Sequence, residues 1–320
     1  VDVLDLALTN LTSPPVLAFA VGVLATALRA DVRLPDPIYQ AISIYLLLGI
    51  GIKGGVGLRE ADLGDVALPA LATIVLGVVT PVMAFALLRP LTRLGPIDRA
   101  AVAAHYGSTS LVTFTAALVF VEASGETVEG FAATLLALLE VPGIIVALLI
   151  ARRYQGATAG WGEAMREVVT GRSIVLLVAG LIIGVGTGAS GYAGVEPFFG
   201  GIFSGVLTLF LLEMGVLAGR RLTDVRQAGA GLVVFGVVMP VLAGSLGVVT
   251  GSLVGLSVGG AAILGVLVAS ASYIAAPAAV RLAIPEANPG VYLGASLGIT
   301  FPFNLVAGIP LLTALSTAIG

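Results

Sequence analysis

The chain has 320 residues, of which 58% are hydrophobic and only 10% charged, with a net charge of -3. An ordinary soluble domain is about half apolar and about a quarter charged, so that class is excluded. No cysteine is present, which removes disulfides, thiolate metal sites and thiol chemistry.

The apolar residues fall into runs of about 20, the length that spans a hydrocarbon core roughly 30 Å thick. Strand-like alternation in segments of about ten residues is absent, which argues against a membrane barrel. Taken in chain order, spans are predicted at 13–28, 38–58, 66–88, 99–121, 130–151, 173–190, 197–219, 229–249, 256–282 and 290–319. The boundary near 247–255 is the least marked. No basic segment precedes the first apolar run, so no secretory signal peptide is expected. Basic runs never exceed two residues, and no nucleic-acid partner is expected. The expected fold class is an all-α polytopic membrane protein.

Charge placement orients the spans. With the N-terminus outside, 13 of the 15 Lys and Arg fall in inner loops, and only Lys53 and Arg59 remain outside. That asymmetry is what the positive-inside rule describes, and it predicts ten helices with both termini outside.

The two halves resemble each other. Residues 77–87 and 236–246 are identical at seven of eleven positions, at an offset of 159. Residues 46–51 line up with 210–215 at an offset of 164, and Pro142 with Pro302 at 160. Five helices per unit is an odd number, so the second unit enters the membrane from the opposite face. Residues 1–151 are expected to form the first five-helix repeat, 152–172 a cytoplasmic linker, and 173–320 the second, inverted repeat. Inverted repeats belong to secondary transporters, whose sites lie near the midplane where helices are broken.

Two polar breaks interrupt the fourth and ninth spans, and they are related by the repeat. Gly107, Ser108, Thr109 and Ser110 form the first; Ser270, Ala271, Ser272 and Tyr273 form the second, 162 positions on. Hydroxyls there can serve freed backbone groups or a ligand, and Pro277 suits the first turn of a new half-helix. Half-helix N-termini carry unpaired N–H groups and partial positive charge, which favours a small anion. Small residues of this kind also let helices pack closely, but two breaks at matching positions favour a binding site. His105 is the single histidine, and a hydrogen-bonding strut is the commoner role for such a residue than a proton gate. Tyr106 and Tyr273 flank the breaks and either face a ligand or pack.

Glu140 and Glu213 lie well inside spans, where ionisable groups are costly and usually functional. Either suits a cation site, and Glu213 equally suits an ion pair with Lys53. Thr300 and Asn304 are further oxygen donors for a sodium ion, with Thr113 and Thr115 weaker. All eight aspartates fall in predicted loops or termini, which disfavours proton antiport. Glu122, Glu126 and Glu129 form an acidic outer cluster, read as a solvated face. Trp161 marks a short amphipathic piece of the linker, expected to lie at the membrane interface.

Taken together, residues 13–17, Tyr45 to Gly55, His105 to Ser110, Leu211 to Gly215 and Ala271 to Arg281 resemble the sodium-dependent bicarbonate transporters of the cyanobacterial carbon-concentrating mechanism. The resemblance implies ten helices in inverted repeats with broken, crossing fourth and ninth helices. It also implies a homotrimer in the plasma membrane, with bicarbonate as substrate, sodium as coupling ion and no other cofactor. A PII-like regulatory protein on the cytoplasmic face is implied as well. The rival readings are a sodium symporter for a larger organic carboxylate, a sodium-independent anion channel, and a membrane sensor that binds the anion without moving it. No catalytic triad, metal cluster or cofactor motif is present, so an enzyme is not expected.

Overall fold

The computed structural model describes Leu8, residues 10–155 and residues 161–320. The side chains of Trp161 and of residues 222–228 lie outside the description, as do Asp2 and Asp5. The described residues are helical with no strand. We number the helices α1 (Pro14–Ala27), α2 (Asp36–Glu60), α3 (Leu63–Leu91), α4 (Pro96–Tyr106), α5 (Leu111–Ala123), α6 (Ala132–Glu140), α7 (Pro142–Arg152), α8 (Trp161–Thr170), α9 (Arg172–Ala193), α10 (Phe203–Ala228), α11 (Ala230–Leu253), α12 (Val258–Ala269), α13 (Ala275–Ala283) and α14 (Pro289–Ile319). Among them are eight segments long and apolar enough to cross a membrane, with α4–α5 and α6–α7 each counting as one. The apolar helices α1 and α12 are shorter.

Burial follows from a lipid solvent. Val75, Val78, Val79 and Val82 of α3 are exposed, whereas Thr73 and Thr80 of the same helix are buried. Apolar side chains face outward because lipid accepts them, and polar groups turn inward to find partners.

Close packing rests on glycines. Helix α1 lies along α10, with Gly22 against Gly215; α2 lies along α9, with Gly55 against Gly184. A Cβ at Gly55 would stand 2.2 Å from the Leu181 carbonyl oxygen, so only glycine permits this approach. Helix α9 is kinked at Gly188, whose φ of 63° suits glycine. Arg59 Nη1 donates to the carbonyls of Val185 and Gly186 beside that kink, 3.1 Å each.

Proline-freed carbonyls are served in the same way. Pro240 inside α11 has no N–H for the Gly236 carbonyl one turn back, and the Thr300 hydroxyl donates to that oxygen at 2.7 Å. Helix α14 contains two π-helical stretches, Gly294–Thr300 and Asn304–Gly308, flanking Pro302. In the second, Pro310 cannot serve the Leu305 carbonyl, and Asn10 donates to it instead.

Three expectations change. The seventh predicted span ends at residue 219, but α10 runs on to Ala228, so Arg220 and Arg221 extend a helix rather than a loop. Asp36, Asp65 and Asp98 occupy first turns of α2, α3 and α4, where a negative charge meets the positive end of the helix dipole. The linker helix α8 packs on α13, with Ala164 and Val168 buried one turn apart. Its apolar face therefore meets protein.

Two substitutions test these contacts. Gly55→Leu should destabilise the α2–α9 pair by about 1–3 kcal/mol, the usual cost of overpacking. Gly64→Leu, where a Cβ meets nothing within 4 Å, should leave the thermal midpoint in detergent unchanged. Thr300→Val keeps the side-chain shape but orphans the Gly236 carbonyl; a loss of about 1–3 kcal/mol is expected, seen as a lower midpoint than that of Thr317→Val.

Candidate functional site where the two breaks meet

Helix α4 ends at Tyr106 and α5 begins at Leu111, with Ser110 as its N-cap. Helix α12 ends at Ala269 and α13 begins at Ala275. The two capping serines act alike. Ser110 Oγ accepts from the Thr113 amide and Ser272 Oγ from the Ala276 amide, 3.2 Å each. They stand 162 positions apart, the same offset that relates the breaks in sequence.

The breaks bond directly to each other. Ser270 Oγ accepts from the Ser110 amide at 2.9 Å and lies 3.0 Å from Thr109 Oγ1. The Ser272 amide donates to the His105 carbonyl at 2.7 Å, and Ser110 Oγ donates to the Tyr273 hydroxyl at 3.2 Å. Each break thus satisfies backbone groups that the other leaves free. The amides of Leu111, Val112, Tyr273 and Ile274 have no acceptor among the described residues. They lie at the N-terminal ends of α5 and α13, where the backbone carries partial positive charge.

A small cleft lies at the junction, lined by Thr109, Ser110, Leu111, Glu140, Ser173, Ser272, Tyr273 and Ile274. Its volume of about 10 Å³ is the space of one water. Glu140, 6% exposed, has no hydrogen bond or ion pair with another described residue. A carboxylate beside hydroxyls and carbonyls is a donor set suited to a hard cation, and unpaired amides suit an anion.

The remaining candidates separate by environment. Ser108 is buried with its hydroxyl unpartnered, and Ala271 is buried beside Ser270. Gly107 meets Gly143 backbone to backbone: a Cβ at Gly143 would fall 1.7 Å from the Gly107 carbonyl oxygen. Asn304 Nδ2 donates to the Ala269 carbonyl at 2.9 Å, capping the C-terminus of α12, while its Oδ1 is buried without a partner. Thr113 is buried behind Ser110 and does not line the cleft. Thr300 is turned away; its hydroxyl serves Gly236 and bonds Tyr106. Tyr106 therefore belongs to that strut, whereas Tyr273 faces the cleft. His105 is fully buried, donates from Nδ1 to the Ala101 carbonyl at 2.7 Å and stacks on Tyr292.

Lys53 and Glu213 do not pair. Lys53 binds Glu122 at 3.0 Å, and Glu213 accepts from the Leu34 amide at 2.8 Å and from Arg33 at 3.4 Å. Similar sequence context at two positions does not by itself bring their side chains together. The acidic cluster is also more than a solvated face: beside the Lys53–Glu122 pair, Glu129 accepts from the Ser257 amide at the start of α12, 2.6 Å away. Lys53 and Glu122 line a cavity of about 370 Å³, which also takes in Phe114, one turn along α5 from Ser110.

Sequence reasoning missed Gly143 and Ser173. Gly143 follows the repeat-related Pro142, a signal that was available; nothing adjacent marks Ser173.

The family model of the Na+-dependent bicarbonate transporter superfamily matches residues 14–317. A comparison with curated proteins finds no match. The matched stretch contains both breaks, the cleft between them, helices α1 to α13 and all but the last two residues of α14, and by that extent this multi-pass membrane protein belongs to the Na+-dependent bicarbonate transporter superfamily.

Proposed function

We propose that the protein is a symporter that couples sodium entry to bicarbonate uptake, with the anion held where the two breaks meet. The observation that carries this reading is the bond from the Ser110 amide to Ser270 Oγ, which joins segments 160 residues apart at one buried hydroxyl. The anion is held by the free amides of Leu111, Val112, Tyr273 and Ile274 and by the Tyr273 hydroxyl. Glu140 supplies the carboxylate for sodium, and Asn304 Oδ1, held at the end of α12, is a second oxygen donor. A site of neutral dipoles binds an anion without a buried Arg, and so can also release it.

Packing supports two inverted five-helix repeats making ten spans, with α1 and α12–α13 among them. The first helix of one half lies along the second helix of the other half twice over, as α1 with α10 and as α9 with α2. Neighbours within each half pair alike: α3 with α4 and α11 with α12, α4 with α7 and α12 with α14. Termini outside belong to the same reading and rest on the placement of Lys and Arg; a homotrimer in the plasma membrane and a PII-like cytoplasmic partner rest on the resemblance alone.

Coupling is energetically required. Moving one anion into a negative interior costs about 2.3 kcal/mol per 100 mV, and tenfold accumulation about 1.4 kcal/mol more. One sodium ion cancels the charge term and adds its own gradient. The cleft has the volume of one water, so a three-oxygen anion enters only when its walls separate. A larger organic carboxylate demands still more.

The test is labelled-bicarbonate uptake into proteoliposomes. An inward sodium gradient should drive accumulation, and choline replacement should abolish it; uptake indifferent to sodium would sink the proposal in favour of a channel. Ser270→Ala removes the acceptor of the Ser110 amide and should lower uptake about tenfold, the scale of one orphaned buried donor. Glu140→Gln should raise the half-saturating sodium concentration at least about tenfold, while bicarbonate saturation at high sodium changes less. An unchanged sodium dependence would remove Glu140 from the cation site.

A further inference from the structure

A third concavity, of about 360 Å³, shares no lining residue with the cleft between the breaks or with the cavity beside Lys53. One wall is Phe85 of α3, and the other is Val146, Leu149 and Ile150 of α7, with Arg153 and Tyr154 just past the end of that helix. The α7 residues recur at helical spacing, so an apolar stripe leads along one face to Arg153. Leu149 and Tyr154 are about half exposed, at 48% and 53%.

The charged end is built from three arginines. Arg89 follows Phe85 by one turn on α3 and shares its face. Arg99 of α4 places its guanidinium 4.8 Å from the Phe85 ring centroid, and its Nε is buried without a partner. The Phe85 ring in turn stacks on Tyr154 at 5.9 Å. Among the described residues neither Arg89 nor Arg153 makes an ion pair, and no carboxylate lines the groove. An apolar channel that ends in uncompensated positive charge, flanked by aromatic rings, matches a lipid at the level of its headgroup.

We propose that this groove holds an anionic phospholipid. The phosphate lies between Arg89 and Arg153, and an acyl chain runs along Val146, Leu149 and Ile150. The apolar wall is what distinguishes a lipid from a free phosphate, which has no use for it. The missing carboxylates distinguish an anionic headgroup from a zwitterionic one, whose ammonium group meets only arginines here. This inference stands independently of the transported substrate.

The test is native mass spectrometry of the full chain after incubation with equal amounts of phosphatidylglycerol and phosphatidylcholine. The wild type should retain phosphatidylglycerol preferentially. The double variant Arg89→Gln/Arg153→Gln should weaken that retention about 30-fold, the combined scale of two arginines at a membrane surface, with phosphatidylcholine unchanged. Arg29→Gln should behave as wild type. Both groove arginines are exposed, so the thermal midpoint of the double variant should not move. Equal retention of the two lipids, no effect of the double variant, or displacement by millimolar inorganic phosphate would each overturn the proposal. The chain has no cysteine, so Leu149→Cys also reports cleanly: disulfide-linked dimers in native membranes would mean a second copy covers the groove, and would overturn it too.

Discussion

At membrane depth the backbone has no water to fall back on, and the hydrogen bonds between the two breaks answer that constraint. Helices α4 and α12 stop among buried residues, which would leave amides and carbonyls stranded. The Ser110 amide finds Ser270, the Ser272 amide finds the His105 carbonyl, and the capping serines hold the next turns. An unsatisfied group there costs several kcal/mol, so neither break is tolerable without the other. The same bonds that permit the interruption bring the polar groups of both halves to one place.

The rest of the bundle repeats this logic on a smaller scale. Thr300 serves the carbonyl freed by Pro240, Asn10 the one before Pro310, and Asn304 the end of α12. Arg59 serves the kink at Gly188. Polar side chains inside the membrane therefore divide into those consumed by the backbone and those left over. Glu140, Ser108, Thr134, His105 Nε2 and one oxygen of Asn304 are among those left over.

Electrostatically the junction offers both signs. Two helix N-termini border it, and one carboxylate lines it. Such a site favours an anion and a cation together over either alone, since each offsets the field the other would meet. Gly107 against Gly143 braces the first break through backbone contact with no side chain to yield, so its geometry is set by α7 as much as by α4 and α5.

Much of the fold was legible because it depends on local pattern. The apolar runs mark helices, and the glycines, serines and prolines mark breaks wherever the chain has to leave a helix. Both breaks stand where their sequences place them, at 107–110 and 270–274. Partnership was not legible, because it depends on which turns meet after packing. Lys53 and Glu213 are both charged and near-aligned by the repeat, yet Lys53 meets Glu122 and Glu213 meets Arg33. Thr300 and Glu140 both read as sodium ligands, and only packing turned one toward Gly236 and the other into the cleft. Hydropathy and helix breaking act over a few turns, so the membrane class and the broken helices are written in the amino-acid sequence. Which polar groups the backbone consumes and which stay unpaired was settled only by packing, since that depends on distances between segments from 35 to 295 residues apart.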